Sequence, residues 1–165
     1  MSKNAFPNAI ELIDALFDFV VTNAANEYWR IDIGEVSEGL SQSIFDATNI
    51  ELLGYTISMD SYGFRHLLNQ HGIANNEILR GQVSVQKKDL RFAFPILDAP
   101  DFIIYGGQSR LGHDCIVFEK IINDKYYVIV WEVRTIKSIQ KLRKKKHRLM
   151  LQTFYIRRQK EKPLR

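Results

Sequence analysis

Cysteine is almost absent from the sequence, since Cys115 is the single thiol among 165 residues. One cysteine excludes an internal disulfide, and it also excludes a zinc site built from several cysteines. The shortage favours a reducing, intracellular setting. Because Cys115 lies in an apolar segment of strand-like composition, we interpret it as a small buried hydrophobe rather than a nucleophile.

Long hydrophobic runs are missing as well. The most apolar segment, AIELIDALFDFVV, is interrupted by Glu11, Asp14 and Asp18. A membrane-spanning helix needs roughly 18 or more predominantly apolar residues. The segment also lacks the basic leader and cleavage pattern of a secretion signal. We therefore interpret it as a buried or partner-facing helix and expect no membrane partner.

Acidic residues are scarce at the C-terminal end. From Arg134 to Arg165 the sequence has 13 Lys and Arg but one acid, Glu161, which gives a local charge of +12. The other 133 residues hold 10 Lys and Arg and 18 acids, a local charge of −8. Such a split favours a surface that binds a polyanion, with nucleic acid as the first candidate. A solvated basic tail is the alternative.

The order of secondary-structure patterns predicts an α+β domain. Apolar residues at three- and four-residue spacing indicate a helix over residues 8–25, and alternation indicates a short strand over residues 28–36. A second helix is entered from Ser37, and a later one starts from Ser84 and ends or kinks at Pro95. Helices therefore come first, and an antiparallel meander follows them.

Strand patterns dominate the second half. The four predicted strands are DFIIYG, HDCIVFEKII, KYYVIVWEVR and LMLQTFYIRR. Asn123 and Asp124 separate the second from the third, which suits a tight hairpin. The glycine-rich YGGQSRLGH is interpreted as a hairpin turn, because it matches no phosphate-binding fingerprint. The basic stretch between Thr135 and His147 could be a helix, a hairpin or a loop.

The segment SYGFRHLLNQHG predicts a helix that carries two histidines on different faces. Its apolar face holds Phe64, Leu67, Leu68 and His71, and its polar face holds Tyr62, His66 and Asn69. Five residues of separation is about 140° of rotation, whereas a pair of zinc ligands on one helix uses i and i+4. We therefore expect no metal here. His66 is a candidate proton carrier, His71 is either catalytic or structural, and Arg65 is a candidate phosphate ligand.

Two strands add polar residues. Simple alternation in the last strand places Leu149, Leu151, Thr153 and Tyr155 on one face and Met150, Gln152, Phe154 and Ile156 on the other. Thr153 and Tyr155 are then neighbouring hydroxyls. In the preceding strand, Glu132 and Arg134 share a face, which is typical of a cross-strand or surface charge pair that contributes little stability.

Taken together, RHLLNQHG, VIVWEVR and LQTFY resemble the phage-associated branch of the barnase–EndoU–colicin–RelE nuclease group, over roughly residues 60–157. The resemblance implies a barnase/EndoU/RelE-like α+β fold, with N-terminal helices followed by an antiparallel β-sheet. It implies a nuclease domain over residues 56–158, an N-terminal region 1–55 of unassigned role and a basic tail 159–165. Members of the group are expected to be metal-independent ribonucleases without a cofactor.

The resemblance also implies roles for individual residues. The expected catalytic residues are His66, His71, Thr153, Tyr155 and Arg134. The expected substrate-binding residues are Arg65, which the resemblance implies, and Lys144, Lys145, Lys146 and Arg157, which the basic C-terminal charge favours. The expected reaction is attack of the RNA 2′-OH on its own phosphate, giving a 2′,3′-cyclic phosphate. A toxin or phage or mobile-element effector in the cytoplasm of a bacterial or phage-infected host cell is expected, with RNA and an antitoxin or immunity protein as partners.

Two other hypotheses are compatible with the sequence. The chain could be a non-catalytic nucleic-acid-binding or phage structural module on the same fold, which predicts binding without cleavage. It could also be a protein–protein module in which the acidic N-terminal region masks the basic C-terminal face. The masking hypothesis predicts that deletion of residues 1–55 raises activity or RNA affinity.

Overall fold

A computed structural model describes residues 2–22, 27–71 and 82–158, and the side chain of His71 lies outside the described part. The helices are α1 (Ala9–Thr22), α2 (Glu38–Thr48), α3 (Ser61–His71), a 3₁₀ helix (Lys87–Phe92), α4 (Ala93–Asp98) and α5 (Ile139–Leu142). The strands are β1 (Arg30–Glu35), β2 (Thr56–Asp60), β3 (Gln82–Val83), β4 (Phe102–Gln108), β5 (Asp114–Ile122), β6 (Lys125–Arg134) and β7 (Arg148–Arg158).

The strands form one sheet in the order β1-β2-β7-β6-β5-β4, and β3 also pairs with β7. All pairs are antiparallel except β2 with β7, which is parallel. The predicted hairpin is confirmed, because Asn123 and Asp124 both have positive φ angles, of 49° and 64°. These angles suit the tight turn that joins β5 to β6. The α+β prediction is therefore confirmed.

The helices build a hydrophobic core on one face of this sheet. The core includes Ile13 of α1, Leu40 of α2, Phe64 of α3 and Ile96 of α4. It is continuous across the boundary expected after residue 55, since β1 also pairs with β2 in the sheet. The N-terminal segment thus packs into the same core as the rest of the domain. In the part of the chain described, no helix is both long and apolar enough to cross a membrane.

Two helix predictions have different outcomes. Ser37 caps α2 as predicted, because its hydroxyl accepts a hydrogen bond from the Leu40 amide at 3.3 Å. The helix expected from Ser84 instead begins as a 3₁₀ turn at Lys87. Pro95 neither ends nor kinks a helix, because it lies in the first turn of α4. At that position an amide hydrogen has no partner within the helix, so proline costs little.

The side-chain alternation predicted for the last strand is wrong because β7 contains a bulge. Thr153 pairs with Val130 and Leu151 pairs with Trp131, so Gln152 is an extra residue. After the bulge, the side chains that would have faced one side of the sheet face the other side. The core side chains before it are Leu149 and Leu151, and those after it are Phe154 and Ile156. Thr153 and Tyr155 therefore lie on the face opposite the helical core, which we call the second face, together with Glu132 and Arg134.

Candidate active site

The position of α3 is set by the point at which β2 separates from β7. The two strands pair only through residues 56–58 of β2, and α3 starts three residues later. Asp60 caps the helix by accepting the Gly63 amide at 2.8 Å. Gly63 allows close approach to β7, because a Cβ atom there would lie 3.1 Å from the Leu151 carbonyl oxygen. The first turn of α3 is thereby held against β7 beside the bulge.

A cavity of about 340 Å³ lies between α3, the bulge and β6, and we call it the His66 cavity. The residues that line it are Tyr28, Asp60, Tyr62, Gly63, His66, Leu111, Glu132, Arg134, Leu151 and Gln152. His66 is exposed on the polar face of α3, as predicted from its helical position. The cavity therefore brings together two of the residues expected from the sequence, His66 and Arg134.

Glu132 is the main residue of this cavity to which the sequence analysis gave no catalytic role. Its side chain is 6% exposed, and its Oε1 accepts the Nε hydrogen of Arg134 at 2.6 Å. Burial raises the pKa of Glu132, but hydrogen bonds from Ser109 and Arg134 and the nearby charges of Arg134 and His113 outweigh it. The pKa of Glu132 consequently lies below its ordinary value. A buried, ionised carboxylate in a cavity is a candidate proton acceptor.

Two tyrosines form one rim of the His66 cavity. The rings of Tyr28 and Tyr62 meet edge to face, with their centroids 5.0 Å apart, and both side chains are about half exposed. Burial and the neighbouring Asp60 raise the pKa of the Tyr28 phenol, so it remains a hydrogen-bond donor. Exposed aromatic rings next to a basic group are suited to stacking on nucleobases. No pattern in the sequence predicts this pairing, because the two tyrosines belong to different elements.

Arg65 lies away from the cavity despite its position next to His66. Its Nη1 donates to the Glu27 carbonyl oxygen at 3.0 Å, and its guanidinium lies 5.9 Å from the centre of the Phe19 ring. Adjacent residues on a helix point about 100° apart, so His66 and Arg65 face different neighbours. These contacts connect α3 to α1, through Phe19, and to the segment before β1, through Glu27. They do not favour the phosphate-binding role expected for Arg65.

Thr153, Tyr155 and Arg157 continue along the second face without lining the His66 cavity. Tyr155 pairs with Val128, four residues before Glu132 on β6. That separation corresponds to roughly 13 Å along the strand. Arg157 lies over the Tyr155 ring at 5.3 Å and donates to its hydroxyl at 3.3 Å. The catalytic roles of Thr153 and Tyr155 and the substrate-binding role of Arg157 remain predictions. At these positions they would contact a part of the substrate that lies outside the cavity.

The remaining expected residues lie elsewhere. Lys144, Lys145 and Lys146 are exposed in the loop after α5, and the Lys144 and Lys145 amides donate to the Lys141 carbonyl. His71 ends α3, and its side chain lies outside the described residues. The catalytic role of His71 and the RNA-binding role of these lysines therefore stay predictions.

Cys115 is buried, as interpreted from the sequence, and lies close to the bulge. Its Sγ is 3.2 Å from Oε1 of Gln152. Burial, together with the charges of Glu132 and Asp114, raises the pKa of the thiol and keeps it protonated. Among residues 2–22, 27–71 and 82–158, no three His, Cys, Asp or Glu side chains are grouped closely enough to hold a metal ion.

The α+β fold agrees with the result of a comparison with protein families. Residues 34–163 match the model of the family described as phage-Barnase-EndoU-ColicinE5/D-RelE like nuclease3. The match covers well over half of the chain, so the chain belongs to this family, and the resemblance drawn from the sequence is confirmed. Searches of curated proteins and of solved structures found no match. Membership supports a nuclease function in general, with nucleic acid as the class of substrate.

Proposed function

We propose that the protein is a metal-independent endoribonuclease that cleaves RNA by attack of the 2′-OH and leaves a 2′,3′-cyclic phosphate. The observation that carries the proposal is that His66, Glu132 and Arg134 line one cavity, in a chain that belongs to a nuclease family. Cleavage of this kind needs a base for the 2′-OH, a cation for the phosphate and an acid for the leaving oxygen. The three side chains supply one group for each need.

In the proposed reaction, the Glu132 carboxylate removes the proton of the 2′-OH as the 2′-oxygen bonds to phosphorus. His66, in its protonated form, donates a proton to the 5′-oxygen as the bond from phosphorus to that oxygen breaks. Arg134 uses its Nε hydrogen to hold Glu132, and its side chain is 41% exposed. Its terminal nitrogens can therefore bind the non-bridging phosphate oxygens and stabilise the added charge.

Cleavage of RNA by the purified protein in the presence of EDTA tests this proposal. We expect RNA ends that carry 2′,3′-cyclic phosphate. His66→Ala should reduce the rate by roughly 10²- to 10⁴-fold, the usual contribution of a positioned acid or base. Asn69→Ala is the matched control, because Asn69 is exposed on the same helix and does not line the cavity. Intact RNA, or an unchanged rate in His66→Ala, would contradict the assignment.

We also propose that this activity serves a toxin or a phage or mobile-element effector in the cytoplasm of a bacterial or phage-infected cell. The phage-associated description of the family supports this role. Induced expression should then stop growth of a bacterial host, whereas the His66→Ala protein, produced at the same level, should not. Growth arrest that is equal for the two proteins would separate the toxic effect from RNA cleavage. An antitoxin or immunity protein would be the partner that relieves the arrest.

A further inference from the structure

Leu111 separates the His66 cavity from a second cavity of about 480 Å³ and lines both of them. It is 78% exposed at the tip of the turn between β4 and β5. Backbone hydrogen bonds from Ser109 to the His113 carbonyl, at 2.7 Å, and from Gly112 to the Ser109 carbonyl, at 2.9 Å, close this turn. An aliphatic side chain is thus held out in solvent between two adjoining cavities.

The second cavity, which we call the Lys137 cavity, has a basic wall. Lys137, Ser138 and Lys141 line one side, and His113 and Asp114 line another. The Ser138 hydroxyl caps α5 by accepting the Lys141 amide at 3.4 Å, which fixes the direction of this short helix. Asp114 accepts a hydrogen bond from the Tyr105 hydroxyl at 2.8 Å. Two lysines therefore face one carboxylate that already has a donor.

The base of the basic wall is anchored to residues that immediately precede β7 and β2. The Ile136 amide donates to Nδ1 of His147 at 2.9 Å, and the His147 ring stacks on Tyr55 with the centroids 5.0 Å apart. The Tyr55 hydroxyl is 2.6 Å from Oγ1 of Thr135. These contacts set the start of the segment that carries Lys137 and Lys141, so the wall has a defined position relative to β6.

We infer that the substrate is single-stranded RNA whose chain passes over Leu111, with the cleaved phosphate in the His66 cavity and the adjacent nucleotide in the Lys137 cavity. The inference rests on the proposed function. Both volumes fall in the range of roughly 300–1,000 Å³ that small-ligand sites occupy. An exposed leucine between two groups of cations can contact the face of an unstacked base. In an A-form duplex the base faces are stacked and inaccessible, so the arrangement favours a single strand.

Binding of a fluorescent 2′-O-methyl oligonucleotide, measured by anisotropy at several salt concentrations, tests the inference. The probe lacks the 2′-OH and cannot be cleaved by the proposed reaction. Each phosphate contact on a single strand contributes about 0.7 to the salt slope, so Lys137→Gln with Lys141→Gln should reduce the slope by about 1.4. Leu111→Ala should weaken binding about three- to tenfold and leave the slope unchanged, because the lost contact is apolar.

Lys3→Gln with Lys88→Gln is the charge-matched control, since both lysines are exposed and neither lines the two cavities. We expect this control to keep the wild-type slope and the same probe in duplex form to bind more weakly. Equal binding of duplex and single strand, or a wild-type slope after the Lys137 and Lys141 changes, would overturn the inference. RNA that stays intact in EDTA would contradict the proposed cleavage activity but not the binding inference, because the probe reports binding without cleavage.

Discussion

The most informative single change is Glu132→Gln, because it removes a charge and keeps the shape of the side chain. Gln retains a carbonyl oxygen that can accept the Arg134 Nε hydrogen, which binds Glu132 at 2.6 Å. The variant cannot accept the 2′-OH proton. We therefore expect cleavage to fall by roughly 10²- to 10⁴-fold, which corresponds to about 2.7–5.5 kcal/mol of lost transition-state stabilisation.

The expected loss of stability is much smaller. A hydrogen bond to a charged group contributes about 1.5–3 kcal/mol and a neutral one about 0.5–1.5, so the exchange should cost about 1 kcal/mol. Solvent screening limits the charge term further, because the Arg134 side chain is 41% exposed. A loss of about 1 kcal/mol lowers the Tm of a domain of this size by about 2–4 °C. A folding defect of that size cannot account for the expected loss of activity.

The pH dependence gives an independent check on the role of Glu132. The pKa of Glu132 is lowered in the folded protein, so the acidic limb of the kcat/KM profile should lie below the ordinary glutamate value of about 4.3. The same lowering means that the ionised carboxylate adds stability above the unfolded-state pKa. This stability is lost as the pH falls through the folded-state pKa. Glu132→Gln should lose that part of the acid dependence of both the rate and the Tm.

The assay compares cleavage by wild type, Glu132→Gln and Glu35→Gln over a pH series, alongside thermal unfolding. Glu35 is an exposed carboxylate at the end of β1 and serves as the matched control. Wild-type activity in Glu132→Gln, or an acidic limb unchanged by it, would refute the assignment of Glu132 as the base. A Tm loss far above the expected few degrees would show that the residue acts chiefly through folding.

Two further changes test hydrogen bonds that hold the fold together away from the His66 cavity. Tyr127→Phe removes the buried hydrogen bond from the Tyr127 hydroxyl to Oδ1 of Asp89 at 3.1 Å, so urea denaturation should show about 1–3 kcal/mol less stability, with the m-value unchanged. An unfolding free energy equal to wild type would show that Asp89 finds another donor. His147→Phe keeps a stacked ring but loses the 2.9 Å hydrogen bond from the Ile136 amide. The free energy of unfolding should therefore fall by about 1–2 kcal/mol, and the segment that follows residue 136 should be cleaved faster by a protease. Proteolysis at the wild-type rate would contradict this anchoring role.

Local patterns in the sequence predicted the elements that local physics controls. Ser37 caps α2, the polar face of α3 exposes His66, and Asn123 and Asp124 form the β5–β6 turn. Each of these outcomes depends on residues within a few positions of one another. A helix cap, a helical face and a tight turn each have sequence signatures of this kind.

The features that the sequence did not reveal depend on contacts between distant segments. The extra residue Gln152 changes which side chains of β7 face the core, and alternation alone cannot locate a bulge. The parallel pairing of β2 with β7 ends after residue 58 of β2, and α3 begins beyond that point. This arrangement places His66 in the same cavity as Glu132, 66 positions later. In the sequence, Glu132 and Arg134 have the pattern of an ordinary surface charge pair. The burial of Glu132 comes from tertiary packing, which a local pattern does not reveal.

The charge asymmetry of the sequence also acquires a structural explanation. Two acids of α1, Asp18 and Asp14, pair with Lys87 and Arg91 of the 3₁₀ helix. Asp32 of β1 lies 3.5 Å from Arg148 and belongs to the sheet. These described acids are thus engaged with the helical layer and the sheet, while the lysines of the 135–146 segment face solvent.

Residues 1–55 also supply core side chains and an edge strand, so deleting them should unfold the domain and would not test the masking hypothesis.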